Sequence, residues 1–164
     1  MDDATSPSDK KRRGWSIRAA HHVGLHVADL KRSLHFYRDI LGFEVASKRH
    51  ARAPYIGVLI GYPQADVHSA LLRAPASDVF VELVEFRGVS LNQVDAARAF
   101  PGTAHVAFTV SNLDQAYEYM TAQGVGSISA PVTATVGPNK GGRLVNIVDP
   151  DGIRIELIQP AELG

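Results

Sequence analysis

Hydrophobic and polar residues alternate in two stretches of the chain that are similar to each other. One is His-Val-Gly-Leu-His-Val-Ala-Asp-Leu from His22, and the other is His-Val-Ala-Phe-Thr-Val-Ser-Asn-Leu from His105. Alternation with a period of two predicts a β-strand that buries one face. Asp29 and Asn112, seven residues after each histidine, are expected to cap the start of a helix. The chain is therefore predicted to contain two modules that begin with the same strand and helix.

A helical period follows each cap and ends at a glycine. Both segments repeat apolar residues at helical spacing: Leu30, Leu34, Tyr37 and Leu41 in the first, and Leu113, Ala116, Tyr117 and Met120 in the second. Gly42 and Gly124 come next, where a left-handed residue commonly ends a helix. Both patterns therefore predict amphipathic helices with one buried face.

Three strand-like segments follow each helix. We predict strands at residues 43–48, 67–73 and 79–86 in the first half, and at 126–130, 142–148 and 153–159 in the second. Asp149-Pro-Asp-Gly predicts a tight turn between the last two strands, because proline presets φ and glycine accepts a positive φ. Each half is thus predicted to be a βαβββ module of α+β class.

The same pattern divides the chain into four parts, which are a tail at 1–18, a first module at 19–87, a linker at 88–102 and a second module at 103–160. The tail is expected to be disordered, because its polar residues bury too little apolar surface to offset the entropy of ordering. Residues 49–64 form an insertion in the first module, with glycine and proline of its own.

The composition of the chain limits the classes of partner and the types of metal ligand that we expect. Lys plus Arg equals Asp plus Glu at 17 each, which argues against nucleic acid or an anionic membrane as a partner. No apolar run reaches about 18 residues and no signal-type apolar segment starts the chain, so we expect a cytoplasmic protein. Because cysteine is absent, any metal site must use histidine nitrogens and carboxylate oxygens.

Four polar residues occupy matching positions of the two modules. Strand alternation places His22 and His105 on the faces that point away from the helices. Glu82 and Glu156 likewise oppose the apolar residues of the last strand of each module. A carboxylate is costly to bury without a partner. We hypothesise that all four bind one divalent metal, for which Zn, Mn, Fe, Co and Ni are suitable. Taken singly, each could instead be a structural histidine or an edge glutamate.

Longer motifs resemble a known family. His-His-Val-Gly-Leu-His-Val-Ala-Asp-Leu, Val-Glu-Leu-Val-Glu-Phe, Gly-Thr-Ala-His-Val-Ala-Phe-Thr-Val and Asp-Pro-Asp-Gly-Ile-Arg-Ile-Glu-Leu are similar to the vicinal oxygen chelate superfamily of glyoxalases, bleomycin-resistance proteins and extradiol dioxygenases. The similarity extends over residues 20–160. It implies paired βαβββ modules that form a cupped mixed sheet around a metal, which chelates vicinal oxygens of a small-molecule substrate. It also implies a homodimer.

The order of the four ligands resembles that of glyoxalase I. Methylmalonyl-CoA epimerase often has glutamine at the second position, extradiol dioxygenases use two histidines and one glutamate, and bleomycin-resistance proteins lack the set. The resemblance therefore implies isomerase, epimerase or lyase chemistry beside a carbonyl, through an enediolate stabilised by the metal. It places the base at Glu156, with Glu82 as the other candidate. An Fe(II) extradiol-type dioxygenase and a non-enzymatic binding or resistance protein remain alternatives.

Two positions depart from glyoxalase I. His26 replaces an arginine that binds a glutathione carboxylate, and Phe86 replaces an asparagine, so a glutathione thiohemiacetal is not the expected substrate. His26 could instead bind another substrate. Further candidates for binding the substrate are Arg52, Tyr55, Asn139 and Lys140. Each of them could instead be a solvated loop residue.

The remaining histidines and one glutamate are expected outside the site. His21 and Glu85 have the wrong strand parity for it. His50 and His68 have no partner in the sequence pattern.

Overall fold

The computed structural model describes residues 14–92, 94–98 and 100–161. Most of the predicted tail lies outside these residues. The first run of elements is β1 (Val23–His26), α1 (Leu30–Leu34, continued by a π-helical turn at His35–Ile40), β2 (Glu44–Ala51), α2 (Pro54–Ile60), β3 (Asp66–Arg73) and β4 (Phe80–Arg87). The second run is β5 (His105–Thr109), α3 (Leu113–Ala122), β6 (Val132–Thr133), β7 (Arg143–Val148) and β8 (Arg154–Gln159).

Each run forms a four-stranded mixed sheet with the same topology. The strand orders are β1-β4-β3-β2 and β5-β8-β7-β6. The first strand of each run pairs in parallel with the last, and the other neighbours are antiparallel. The predicted α+β class with repeated strand and helix order is therefore confirmed.

Both predicted N-caps are present. The Asp29 carboxylate accepts a hydrogen bond from the Arg32 backbone N–H at 2.9 Å, and the Asn112 side chain accepts one from Gln115 at 3.0 Å. Each bond satisfies a donor that has no partner within the helix. Gly42 and Gly124 both have φ of +77°, the left-handed conformation that glycine adopts without strain. The residues that begin and end these two helical segments were thus predicted correctly from the sequence.

The helices cover one face of each sheet and meet in a common apolar core. Buried side chains from both runs contribute, including Leu83 of β4 and Ile155 of β8. The Phe43 and Phe108 rings join the runs directly, with an edge-to-face contact at a centroid distance of 5.3 Å. Aromatic pairs of this geometry add specificity to the apolar burial.

The predicted strand at 126–130 is wrong. Only an isolated bridge joins Ser127 to Ile147, and the short edge strand β6 comes later. Pro131 follows directly and has no N–H to donate to a ladder, which accounts for the interruption. The insertion, by contrast, contains regular structure. β2 extends to Ala51, and α2 starts with a proline and ends at Gly61 with φ of +76°.

The predicted turn before β8 is present. Asp149 accepts hydrogen bonds from the backbone N–H groups of Asp151 at 2.9 Å and Ile153 at 2.7 Å, and Gly152 has φ of +84°. Among the described residues, no helix is long and apolar enough to cross a membrane.

Candidate metal centre

The first histidine–glutamate pair lies at the junction of β1 and β4. Gly24 is the register partner of Glu82, so the two residues share a face, and His22 lies on that same parity just before the strand. His22 Nε2 is 3.2 Å from Glu82 Oε2, and both side chains are about one-third or less exposed. The parallel pairing of β1 and β4 thus brings together two residues 60 positions apart.

The second pair repeats this arrangement in the other sheet. Ala107 of β5 is the register partner of Glu156 of β8. His105 Nε2 lies 3.6 Å from Glu156 Oε2, with the imidazole 58% and the carboxylate 23% exposed. The two modules therefore present equivalent imidazole–carboxylate pairs on their helix-distal faces.

The spacing within each pair fits two ligands of one metal ion. With Zn–N and Zn–O bonds of about 2.1 Å, two ligands of a tetrahedral ion lie about 3.4 Å apart, which is close to the 3.2 Å and 3.6 Å observed. The four atoms do not form one cluster within a single chain, however. In the described part of the chain, the candidate ligand atoms that do lie within 4.8 Å of one another belong to His50, Asp66 and His68, which are not members of either pair. Convergence of all four remains a prediction.

His21 contacts the first pair, and further rings contact one another on the same face of the sheet. His21 Nδ1 lies 2.7 Å from His22 Nδ1, and their rings are edge-to-face. The opposite strand parity of His21 does not prevent this contact, because His21 and His22 are neighbours in the chain. His26 and Phe86 also contact each other, with ring centroids 5.0 Å apart, and Tyr62 lies 6.1 Å from Phe86.

An open pocket of about 360 Å³ adjoins the second pair. Its lining consists of Phe100, Pro101, Thr103, Ala104, His105 and Arg154. The Arg154 guanidinium donates to the Ala97 carbonyl through Nε at 2.8 Å and Nη2 at 2.5 Å. Arg154 is not among the residues predicted for the site, although it lies two residues before Glu156 and so shares its face. Its positive charge makes it a candidate anchor for substrate oxygens.

Arg52 is held on the other side of the first sheet. Its Nη2 donates to Asp66 Oδ2 at 2.7 Å. Leu71, not Asp66, has the parity of Glu82 in the β3–β4 register, so Asp66 lies on the opposite face. Tyr55 is exposed on α2. Their predicted roles in substrate binding stay predictions.

Asn139 and Lys140 lie in the exposed turn before β7. The Asn139 carbonyl accepts from Gly142, and Lys140 N–H donates to the Gly137 carbonyl. These are backbone bonds, so both side chains extend from a hydrogen-bonded turn. Their predicted role in binding substrate also stays a prediction.

His50 and His68 have no partner in the sequence pattern, but they contact each other in the structure, away from the His22–Glu82 pair. They are register partners across β2 and β3, and both approach the Asp66 carboxylate. Glu85 is on the same face as His68, consistent with its predicted place outside the metal site. Its carboxylate accepts from Arg87 at 2.7 Å and from the Leu30 N–H at 3.3 Å. The Arg87 guanidinium lowers the pKa of Glu85.

Comparison with known proteins identifies the family. Residues 19–157 match the Glyoxalase/Bleomycin resistance protein/Dioxygenase superfamily, and the chain belongs to it. A 2-epi-5-epi-valiolone epimerase from Actinomyces sp. is 31% identical over 145 residues, covering 85% of this chain and 78% of the relative. Lactoylglutathione lyase of Salmonella typhimurium is 30% identical over 147 residues, covering 87% and 93%.

A solved structure is similar in fold. The glyoxalase family protein of Bacillus cereus has a TM-score of 0.74 at 20% identity, over 90% of this chain and 97% of that protein. The resemblance seen in the sequence motifs is confirmed, as is the glyoxalase-like fold.

Proposed function

We propose that this protein is a metal-dependent enzyme that moves a proton at a carbon beside a carbonyl, in an isomerase, epimerase or lyase reaction. The observation that carries the proposal is the pair of equivalent His–Glu contacts, 3.2 Å and 3.6 Å long, on the two sheets. Relatives at about 30% identity bear epimerase and lyase names, which supports the same reaction class. The substrate is a small molecule with vicinal oxygens.

The metal would be held by His22, Glu82, His105 and Glu156. When bound, a divalent ion supplies a Lewis acid that polarises the substrate carbonyl and stabilises negative charge on its oxygen. Glu156 removes the proton from the neighbouring carbon and returns it to complete the reaction, as a positioned general base and acid does. Glu82, from the other module, is the second candidate for this role. Arg154, beside the pocket, orients the substrate through its charge.

Each chain offers two half-sites, so a complete set of ligands requires the modules to meet. A homodimer accomplishes this when the His22–Glu82 pair of one copy faces the His105–Glu156 pair of the other. A two-fold axis would then create two equivalent sites. We therefore include a homodimer in the proposal.

Glutathione is not the proposed carrier of the substrate. The resemblance to glyoxalase I implies that His26 and Phe86 stand where that enzyme has an arginine and an asparagine. Here these side chains contact each other as rings, and Tyr62 extends the aromatic group. Ring faces do not provide the bidentate donors that a carboxylate requires. A hydroxy ketone without a glutathione arm fits this surface better.

Metal and substrate tests separate the proposal from its rivals. Protein stripped by chelation would be reloaded with Zn²⁺, Ni²⁺, Co²⁺, Mn²⁺ or Fe²⁺ and incubated with hydroxy ketones, thioesters and catechols. Proton exchange with deuterated water at the carbon beside the carbonyl, dependent on the metal, supports the proposal. Oxygen uptake with catechol and Fe²⁺ would instead indicate a dioxygenase. Tight ligand binding without metal or turnover would indicate a binding protein.

A further inference from the structure

A compact group of metal-binding side chains lies on the helix-side face of the first sheet, away from the His22–Glu82 pair. His50 of the edge strand β2 faces His68 of β3 in register, and Asp66 lies two residues before His68. The same register pairs His68 with Glu85, three residues from Glu82, so the two faces differ. One ligand atom from each of His50, Asp66 and His68 lies within 4.8 Å of the others.

The two imidazoles are arranged around one carboxylate. Their rings are stacked, with centroids 4.3 Å apart and an angle of 16° between the planes. His50 Nε2 lies 2.5 Å from Asp66 Oδ1, and His68 Nε2 lies 3.3 Å from Asp66 Oδ2. The two imidazole nitrogens therefore approach different oxygens of the same carboxylate.

His68 is the observation that points to a ligand. Its Nε2 atom is buried and has no hydrogen-bond partner, although Asp66 Oδ2 lies 3.3 Å away. An unpaired buried polar atom is costly. A metal at this nitrogen would remove that cost. The 3.3 Å separation also matches the spacing of about 3.4 Å expected between two ligands of tetrahedral zinc.

We propose that His50, Asp66 and His68 form a second binding site for a divalent transition metal of the zinc class. Two neutral imidazoles and one carboxylate are a ligand set that zinc accepts, with water in the fourth position. The exposed His50 ring rotates outward to lengthen its contact with Asp66 to the spacing of metal ligands. Arg52, which is 73% exposed, balances the Asp66 charge without metal and swings into solvent when metal binds.

The location gives such a site a structural purpose. His50 is next to the end of β2 and Asp66 begins β3, so the two residues bracket the segment that contains α2. A metal between them would close this segment at its base, and a clip that binds only the folded chain stabilises it. Tyr62 of the same segment contacts Phe86 on the Glu82 face. The second metal would therefore steady the segment that contacts Phe86, on the face of Glu82, without touching the His22–Glu82 pair.

Zinc content tests the proposal directly. Full-length wild type, His50→Ala and His68→Ala would be dialysed against the same buffered zinc, and protein-bound zinc measured by mass spectrometry. Each variant should bind one zinc ion fewer per chain than wild type, because two ligands rarely hold a structural zinc. His35→Ala is the matched control, since His35 pairs with Asp39 at 3.0 Å outside the cluster, and it should keep the wild-type zinc content.

The His22→Ala/His105→Ala background separates this site from the catalytic one. In that background zinc should still bind, raise the unfolding temperature by a few degrees, and be replaced by Co²⁺ with a visible absorption band. Adding His50→Ala should abolish all three effects, and the exposure of His50 keeps this variant foldable even if His68→Ala is not. Unchanged zinc content in His50→Ala, or no zinc in the background, would overturn the second site and leave the proposed function untouched.

Discussion

The Tyr37 phenol donates a hydrogen bond of 3.1 Å to the Asp149 carboxylate. Tyr37 is in the π-helical turn of the first module, and Asp149 begins the last turn of the second. Both side chains are buried, and the two residues are 112 positions apart. The bond therefore couples the helical side of one module to the final hairpin of the other. Burial raises the pKa of Tyr37 and also that of Asp149.

Tyr37→Phe should destabilise the protein and change how its stability depends on alkaline pH. Loss of the hydrogen bond to the buried carboxylate should cost about 1–3 kcal/mol of unfolding free energy near neutral pH. In wild type the folded-state pKa of Tyr37 is raised above the ordinary 10.0. Its stabilising contribution is thus complete below pH 10 and falls above it, because the unfolded chain releases the proton first. Urea unfolding between pH 8 and 11 measures both effects.

The difference in unfolding free energy between wild type and Tyr37→Phe should decrease above pH 10. Tyr117→Phe is the control, since Tyr117 lies 3.4 Å from Ser127 within the second module and its loss leaves Tyr37 in place. An equal difference in unfolding free energy at every pH would show that Tyr37 has the same pKa in the folded and unfolded states.

Glu156→Gln should separate catalysis from metal binding. The amide keeps the size of the side chain but lacks the charge and basicity, so turnover should fall by about 10²-fold or more. Metal affinity should fall less, because three ligands remain. His105→Ala should lose metal and activity together, and mass spectrometry with turnover measurements would compare the two. A fully active, fully metallated Glu156→Gln protein would exclude Glu156 as the base and leave Glu82 as the residue to test.

Mixing two inactive variants should restore activity if sites form between chains. One variant carries His22→Ala and Glu82→Gln, and the other carries His105→Ala and Glu156→Gln. A mixed dimer with a two-fold axis has one site with all four native ligands, so random exchange should recover about a quarter of wild-type activity. Sedimentation should show dimers at micromolar concentration. Monomers alone, or inactive mixed dimers, would instead favour sites that close within one chain.

His26→Arg/Phe86→Asn should improve turnover of a glutathione thiohemiacetal. The ring contact at 5.0 Å would be replaced by charged and amide donors suited to a carboxylate, and one such interaction contributes about tenfold or more. kcat/KM for that substrate is the measurement. Tyr62→Phe serves as a control that alters the same aromatic group without adding a donor. High wild-type turnover of the thiohemiacetal would contradict the proposed substrate class.

Local pattern determined much of this architecture. Alternation from His22 and His105, the capping side chains of Asp29 and Asn112, and the repeat order predicted two similar strand–helix units. Strand parity also predicted that Glu82 and Glu156 face away from their apolar strand neighbours, and the structure buries those neighbours, Val81, Leu83, Ile155 and Leu157. These features depend on residues close together in the chain or on the two-residue period of a strand, so the sequence alone predicts them. The parallel pairing of the first and last strands in each module was not predicted.

Other features required the tertiary structure. His50 and Asp66 are far apart in the sequence pattern, and only the antiparallel register of β2 against β3 brings them onto one face with His68. The Tyr37–Asp149 bond depends likewise on how the two modules pack. A shift of one residue in strand register would move every side chain to the opposite face, and register is set by burial across the whole sheet. Only the tertiary structure shows that the two His–Glu pairs form no common cluster within one chain, because the linker between the modules is long enough to permit either arrangement.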